Sequence, residues 1–174
     1  LVVTSGGVSV GAYDVVKEAL SGLGPDGGPG GAGSVDFRRL AMQPGKPQGF
    51  GLIGEDRTPL LALPGNPVSS YVSFELFVRP AIRTLLGQEP VRRIPVRATL
   101  ESDEALSSPD GKRQFLRGTH TPPAAGASVG TVRPVGGSGS HLIGALALAD
   151  CLIVLPEDTT QASPGDEVEV LPLG

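Results

Sequence analysis

The hydrophobic pattern of this chain changes period once, and that change limits the folds open to it more than any single motif. In the first half, apolar runs and glycine loops alternate with stretches whose apolar residues recur every three or four positions. From Val91 onward the period is mostly two: IPVRATL, RQFLRGTH, SVGTVRPV, CLIVLP and DEVEVLPL, separated by turn residues and interrupted by one helical piece, HLIGALALA. Alternating strand and helix predicts an α/β domain, and successive period-two runs predict a smaller, mostly β domain. The change falls at Gln88 to Val91, which makes residues 1–89 and 90–174 the two parts.

Within the first part, Leu1 to Thr4 reads as a buried parallel strand feeding Ser5-Gly6-Gly7. Asp14 stands as an N-cap before VVKEALSGL, whose Val15, Val16, Ala19, Leu20 and Leu23 recur at helical spacing. GPDGGPGGAG (24–33) reads as a surface loop, VDFRRLAM as a strand and QPGKPQ as a loop. FGLIGEDRTPLLALP gives two strands around a polar turn at Glu55-Asp56-Arg57. Then LPGNP opens a helix: Asn66 suits the N-cap, and Pro67 suits the first helical position, where a missing N–H removes no helical bond. Val68, Tyr71, Val72, Phe74, Phe77, Val78, Ala81, Ile82 and Leu85 trace one broad apolar face. Pro80 predicts a kink in the C-terminal third of this helix, and Gly87 its end.

Composition narrows the partners. Hydrophobic residues make up 39% of the 174, with no Trp and 4% aromatics, so the core is expected from Val, Leu, Ile and Ala. The net charge is −4 and no Lys/Arg block exceeds two residues, which argues against a nucleic-acid surface. The single cysteine, Cys151 in LADCLIVLP, has no intrachain disulfide partner and reads as a small buried hydrophobe, which fits a reducing, cytoplasmic compartment. The chain has no apolar run of about 18 residues, so no membrane partner is expected. His120 and His141 lack the spacing of a metal site, and no G-x-S-x-G nucleophile elbow occurs. The chain opens on a strand already under way, without an initiator Met, and reads as the C-terminal part of a longer polypeptide.

Three loops carry the candidate chemistry: SGGVSVGAYD, QPGKPQGFG and LPGNPVSS. Ligands of open α/β sheets sit beyond the carboxyl ends of the strands, where glycines let backbone N–H groups approach an anion. The residues at issue are Ser5, Gly6, Gly7, Ser9 and Gly11, then Pro44, Gly45 and Lys46, then Pro64, Gly65, Asn66, Pro67 and Ser69. The first loop is not a P-loop, because Ala12 follows Gly11 where a lysine is required. Each candidate has a plain alternative. PGNP is a strand-to-helix turn or a ligand wall; Lys46 is a solvated loop lysine or a clamp for an anion. Asp14 is an N-cap or an acidic site residue and possible metal ligand, and the Ser5 and Ser9 hydroxyls serve either a phosphate or the turn itself.

Taken in order, TSGGVSVGAYD, MQPGKPQGFG and LALPGNPVSSY resemble the molybdopterin molybdenumtransferases, enzymes related to the E domain of gephyrin. RQFLRG, GSGSHLIGALALADCLIVLPED and GDEVEVLPL resemble the family's C-terminal β domain, so the likeness covers nearly the whole chain outside residues 24–33. The resemblance implies a three-layer α/β molybdopterin-binding domain, incomplete at its N-terminus, followed by a small barrel-like β domain. It implies insertion of molybdate into adenylated molybdopterin with release of AMP, assisted by Mg²⁺, at a site formed between subunits of a homodimer. By position, Asp14 and Lys46 match acidic and basic active-site residues, Pro64 to Pro67 the pocket-lining turn, and Arg117 and Ser140 polar residues from the β domain. Gln43 departs from the pattern, standing where some members carry a second lysine. A binding module without turnover and a dimerising scaffold are the other functions compatible with the residues.

Overall fold

The computed structural model describes residues 1–8, 19, 33–136 and 143–174. The chain divides into two units, Leu1–Leu40 with Gly45–Val91 and Ala41–Pro44 with Arg92–Gly174. The first unit holds β1 (Val2–Ser5), β2 (Gly33–Arg39), β4 (Pro47–Ile53) and β5 (Thr58–Leu63), while the intervening β3 (Met42–Gln43) belongs to the second. The run VDFRRLAM, read as one strand, is thus divided between two sheets.

The sheet of the first unit has the order β1-β5-β4-β2. β1 runs parallel to β5, with Ser5 level with Leu63, but the strand read as buried is an exposed edge, Val2 and Val3 included; β4 is antiparallel to both β5 and β2. The carboxyl ends of β1, β2 and β5 and the amino end of β4 therefore lie at one edge. β5 is covered on both faces, which is why its sequence is a continuous apolar run and not an alternating one. Leu60 and Ala62 pack with Val8, Val35, Phe37 and Ile53, whereas Leu61 and Leu63 pack with Val78 and Ala81 of the helical segment. β4 runs so close to β2 that a Cβ on Gly51 would stand 2.1 Å from the Ser34 carbonyl oxygen and 2.6 Å from Val35 Cα. At Gly49 a Cβ would meet the Phe37 ring at 2.7 Å.

After β5 come α1 (Pro67–Ser73), a π-helical turn (Phe74–Val78) and α2 (Arg79–Leu85). The Ser70 N–H donates to Asn66 O at 2.8 Å, the first helical bond, so Asn66 occupies the N-cap position. Its side chain, however, makes no capping hydrogen bond. The Pro80 irregularity takes the form of the π turn: Pro80 has no N–H and excludes the Leu76 carbonyl, and the Arg79 N–H reaches back to Phe74 O. The buried face is narrower than the apolar pattern indicates. Val68, Ser69, Val72, Ser73, Glu75 and Val78 are buried, while Phe74, Ile82 and Leu85 are exposed.

The second unit contains β6 (Val96–Leu100), β7 (Leu106–Ser107), β8 (Arg113–Thr121), β9 (Gly130–Pro134), α3 (Ile143–Leu148), β10 (Cys151–Leu155), β11 (Gln161–Ala162) and β12 (Glu167–Pro172). The ladder β10-β12-β6-β9-β8 returns to β10, closing a five-stranded barrel, and β3 adds to β8 in parallel. Closure pairs the strand edges within the ring. The interior is Ala98, Leu100, Leu116, Val132, Ile153, Leu155, Val168, Val170 and Cys151, aliphatic as the composition requires. Burial, helped by the neighbouring Asp150 carboxylate, pushes the Cys151 thiol up to about 12. Among the described residues no helix is long and apolar enough to cross a membrane.

Candidate functional site

The strand directions bring loops of the first unit to one edge. β1 ends in Ser5-Gly6-Gly7, where Gly6 (φ +91°) and Gly7 (φ +71°) adopt successive left-handed conformations that favour glycine. The Gly6 N–H donates to Leu63 O at 2.9 Å, tying this loop to the end of β5. A Cβ on Gly65 would stand 3.0 Å from Gly6 Cα, so the SGG loop and the PGNP turn touch backbone to backbone. Two hydroxyls fix the contact: Ser70 Oγ donates to Pro64 O at 2.5 Å and lies 2.8 Å from Ser5 Oγ, which is itself 3.4 Å from Pro64 O. Ser5, a candidate ligand donor, thus hydrogen-bonds the turn.

The lysine loop reaches the same edge from β2 into β4. Gly49 pairs with Ala62 and Phe50 with Leu61. β4 begins at Pro47 and, being antiparallel, starts at the edge where β5 ends at Leu63, so Lys46 precedes β4 at the edge where the PGNP turn follows β5. The Leu40 N–H donates to Lys46 O at 2.7 Å, closing the loop. Gln48 Nε2 donates to Gly45 O at 2.7 Å and to Ser73 Oγ at 2.5 Å. Gln48 is 9% exposed and Ser73 fully buried. Lys46 is exposed, and among the described residues no acidic side chain pairs with it. The Gly6 N–H is taken by Leu63 O, so it is Lys46, without an acidic partner among the described residues, together with the start of α1 that suits this edge to an anion.

The remaining candidates are distributed as follows. Pro44 and Gly45 are buried and Gly45 has φ +96°; Pro64 is buried, Gly65 and Pro67 are exposed, and Ser69 is buried on α1. Asn66 Oδ1 is buried and has no hydrogen-bond partner among the described residues. Arg117 lies in β8 of the second unit, level with Leu152 and 3% exposed, and burial lowers its pKa from the usual guanidinium value. Ser9, Gly11, Asp14 and Ser140, with the helix read after Asp14 apart from Ala19 and residues 24–32 of the loop read at 24–33, lie outside the described residues, while Gly33 opens β2 and does not belong to the loop. Among the described residues no three His, Cys, Asp or Glu side chains come together, so these residues offer positive charge and amides but no cradle for Mg²⁺.

Three residues of this edge escaped the sequence reading: Gln48, Ser70 and Ser73. The signal was the stretch VSSYVS, which sets three serines into the opening turns of an otherwise apolar helix. Buried serines there need partners, and strand-edge carbonyls and side chains supply them. A cavity of about 630 Å³ lies over the other part of the sheet, lined by Asp36, Arg38, Gln48, Phe50 and Phe77 among others. It shares Gln48 with the loop cluster, and none of the sequence-predicted site residues lines it.

Comparison with known proteins covers both units. Residues 1–84 match the family described as a probable molybdopterin binding domain, and residues 99–173 the family described as the MoeA C-terminal region (domain IV). Molybdopterin molybdenumtransferase 2 of Mycobacterium tuberculosis is 44% identical over 170 residues, 98% of this chain and 39% of the relative. Molybdopterin molybdenumtransferase 1 of the same organism is 38% identical over 173 residues, again 98% of this chain and 38% of the relative. A crystal structure of a molybdopterin biosynthesis moeA protein from Pyrococcus horikoshii superposes with a TM-score of 0.68 at 29% identity, covering 100% of this chain and 37% of that one. The chain thus spans about two fifths of the length of these curated relatives.

Proposed function

The chain belongs to the molybdopterin molybdenumtransferase family, and we propose that it supplies part of the site where molybdate is inserted into adenylated molybdopterin with release of AMP. The observation that carries this reading is the convergence of Gly6-Gly7, Lys46 and the PGNP turn at one sheet edge, with the lysine charge unneutralised. Molybdate, the pterin phosphate and the phosphoanhydride are all anionic, and metal insertion beside a cleaving phosphoanhydride is mostly positioning and electrostatics. Backbone amides and Lys46 bind and orient these groups. Arg117 and Ser140 are the second unit's own candidate polar residues. Mg²⁺, when bound, would neutralise phosphate charge, and Asp14 is this chain's candidate to hold it. Assembly as a homodimer acting in the cytoplasm belongs to the same reading, and light scattering on the purified chain measures the assembly.

The test is calorimetric titration of adenylated molybdopterin into the chain and into Lys46→Ala. A charge-assisted contact is worth about 1.5–3 kcal/mol, so affinity should fall roughly 10- to 100-fold. Unfolding should shift by less than about 0.5 kcal/mol, because the side chain is exposed. Equal affinities would remove Lys46 from the site, and absence of binding by the unsubstituted chain would refute the reading of this edge as sufficient for the ligand.

A further inference from the structure

Gln48 and Ser73 lie beside the lysine loop, and neither has a part of its own in the proposed chemistry. Gln48 nevertheless uses its amide in an unusual way for a buried strand residue. The NH₂ group has two hydrogens. One goes to Gly45 O at 2.7 Å and the other to Ser73 Oγ at 2.5 Å. The acceptor hydroxyl is itself fully buried on α1, so the amide is anchored to a helix that packs on the sheet.

The consequence concerns the two peptide groups on either side of Lys46 Cα. The carbonyl of the preceding peptide, Gly45 O, is held by Gln48, and that of the following peptide, Lys46 O, is held by the Leu40 N–H at 2.7 Å. With both peptide planes fixed, the φ and ψ of Lys46 are fixed, and so is the direction of its Cα–Cβ bond. The ring of Pro47 restricts the next residue as well. Gly45, at φ +96°, occupies a conformation that a glycine readily leaves unless something restrains it. Only the rotamers of the lysine side chain remain free, which lowers the ordering penalty of meeting an anion.

We propose that Gln48, locked by Ser73, is a positioning residue that pre-orients Lys46 toward its anionic ligand. This rests on the reading of Lys46 as an anion clamp given above. Gln48 does not contact the ligand; it acts through the Gly45 carbonyl.

Two variants test it, Gln48→Met, which keeps the length but has no donor, and Ser73→Ala, which removes the anchor and suits a helix. Each is made alone and with Lys46→Ala, and titrated with adenylated molybdopterin. Each single variant should weaken binding about fivefold, the equivalent of one neutral hydrogen bond, and should have no further effect once Lys46→Ala is present. The Leu40 amide, bonded to Lys46 O, should exchange with solvent about fivefold faster in Gln48→Met, while the β5 amides keep their rates. Unchanged Leu40 exchange overturns the pinning whether or not ligand binds. An affinity loss that persists on the Lys46→Ala background overturns action through Lys46. If Lys46→Ala weakens binding and Gln48→Met does not, this inference alone fails; if Lys46→Ala has no effect, the reading of Lys46 fails, and the exchange rates still decide on the pin.

Discussion

Gly51→Ala is the sharpest test of the sheet that carries the site. A Cβ at this position would lie 2.1 Å from Ser34 O and 2.6 Å from Val35 Cα. Carbon–oxygen contacts close at about 3.3 Å, so the shortfall is roughly 1.2 Å. Both obstructing atoms are backbone, and no side-chain rotation relieves the clash. β2 would have to move away from β4 by about that distance against a strand spacing of about 4.8 Å, stretching the ladder on either side of the Val35–Gly51 pair. Two ladder bonds at about 1 kcal/mol each, with overpacking of about 1–3 kcal/mol, give a loss of about 3–5 kcal/mol. That is a large part of the 5–15 kcal/mol typical of a folded domain. Urea unfolding followed by far-ultraviolet circular dichroism measures it. Gly144→Ala is the matched control, since Gly144 is helical and none of the described residues comes within 4 Å of its would-be Cβ. It should stabilise by about 0.5–1 kcal/mol. A Gly51→Ala protein within about 1 kcal/mol of the parent would refute the strand approach on which the reasoning depends.

Two further outcomes follow from particular side chains. Asn66→Ala should reduce stability by less than about 0.5 kcal/mol in a thermal melt, where loss of a working N-cap removes about 1, because the Asn66 side chain makes no capping bond; a larger loss would mean that it caps in solution. For Cys151, the folded thiol titrates near 12 and the ordinary value is 9.0. Between those values only the unfolded chain gives up its proton, so stability is complete below pH 9 and falls as pH rises, by up to about 1.4 kcal/mol per unit. The slope should be missing from Cys151→Ala, and parallel curves for the two proteins up to pH 10.5 would show that the native thiol ionises normally.

Much of the fold was legible because burial writes itself into period. The run LLALP is continuous because β5 is covered on both faces, and EVEVLP alternates because β12 has one face in the barrel core. The three loops were legible as glycine and proline punctuation, and the parallel pairing of β1 with β5 explains why two of them meet. Other features left no such trace. Gln48 and Ser73 are 25 positions apart, and nothing in the composition of either segment names the other as a hydrogen-bond partner. Phe74, Ile82 and Leu85 match the helical period yet are exposed, since an apolar side chain does not specify what covers it. The side chain of Asn66 has the right chemistry for a cap and a different orientation, a choice made by the turn around it.

The four residues Ala41–Pro44 have a consequence for how this chain can be inherited. They belong to the second unit although they lie between β2 and β4 of the first, so the polypeptide passes from one unit to the other three times. No single crossover point in the gene separates the two. A breakpoint near codon 90 would hand on a barrel lacking β3 and leave Met42, which is buried, on a stranded segment without its partner Arg113. Separating the units by a cut at any one point therefore breaks either the pairing of β3 with β8 or the sheet of the first unit.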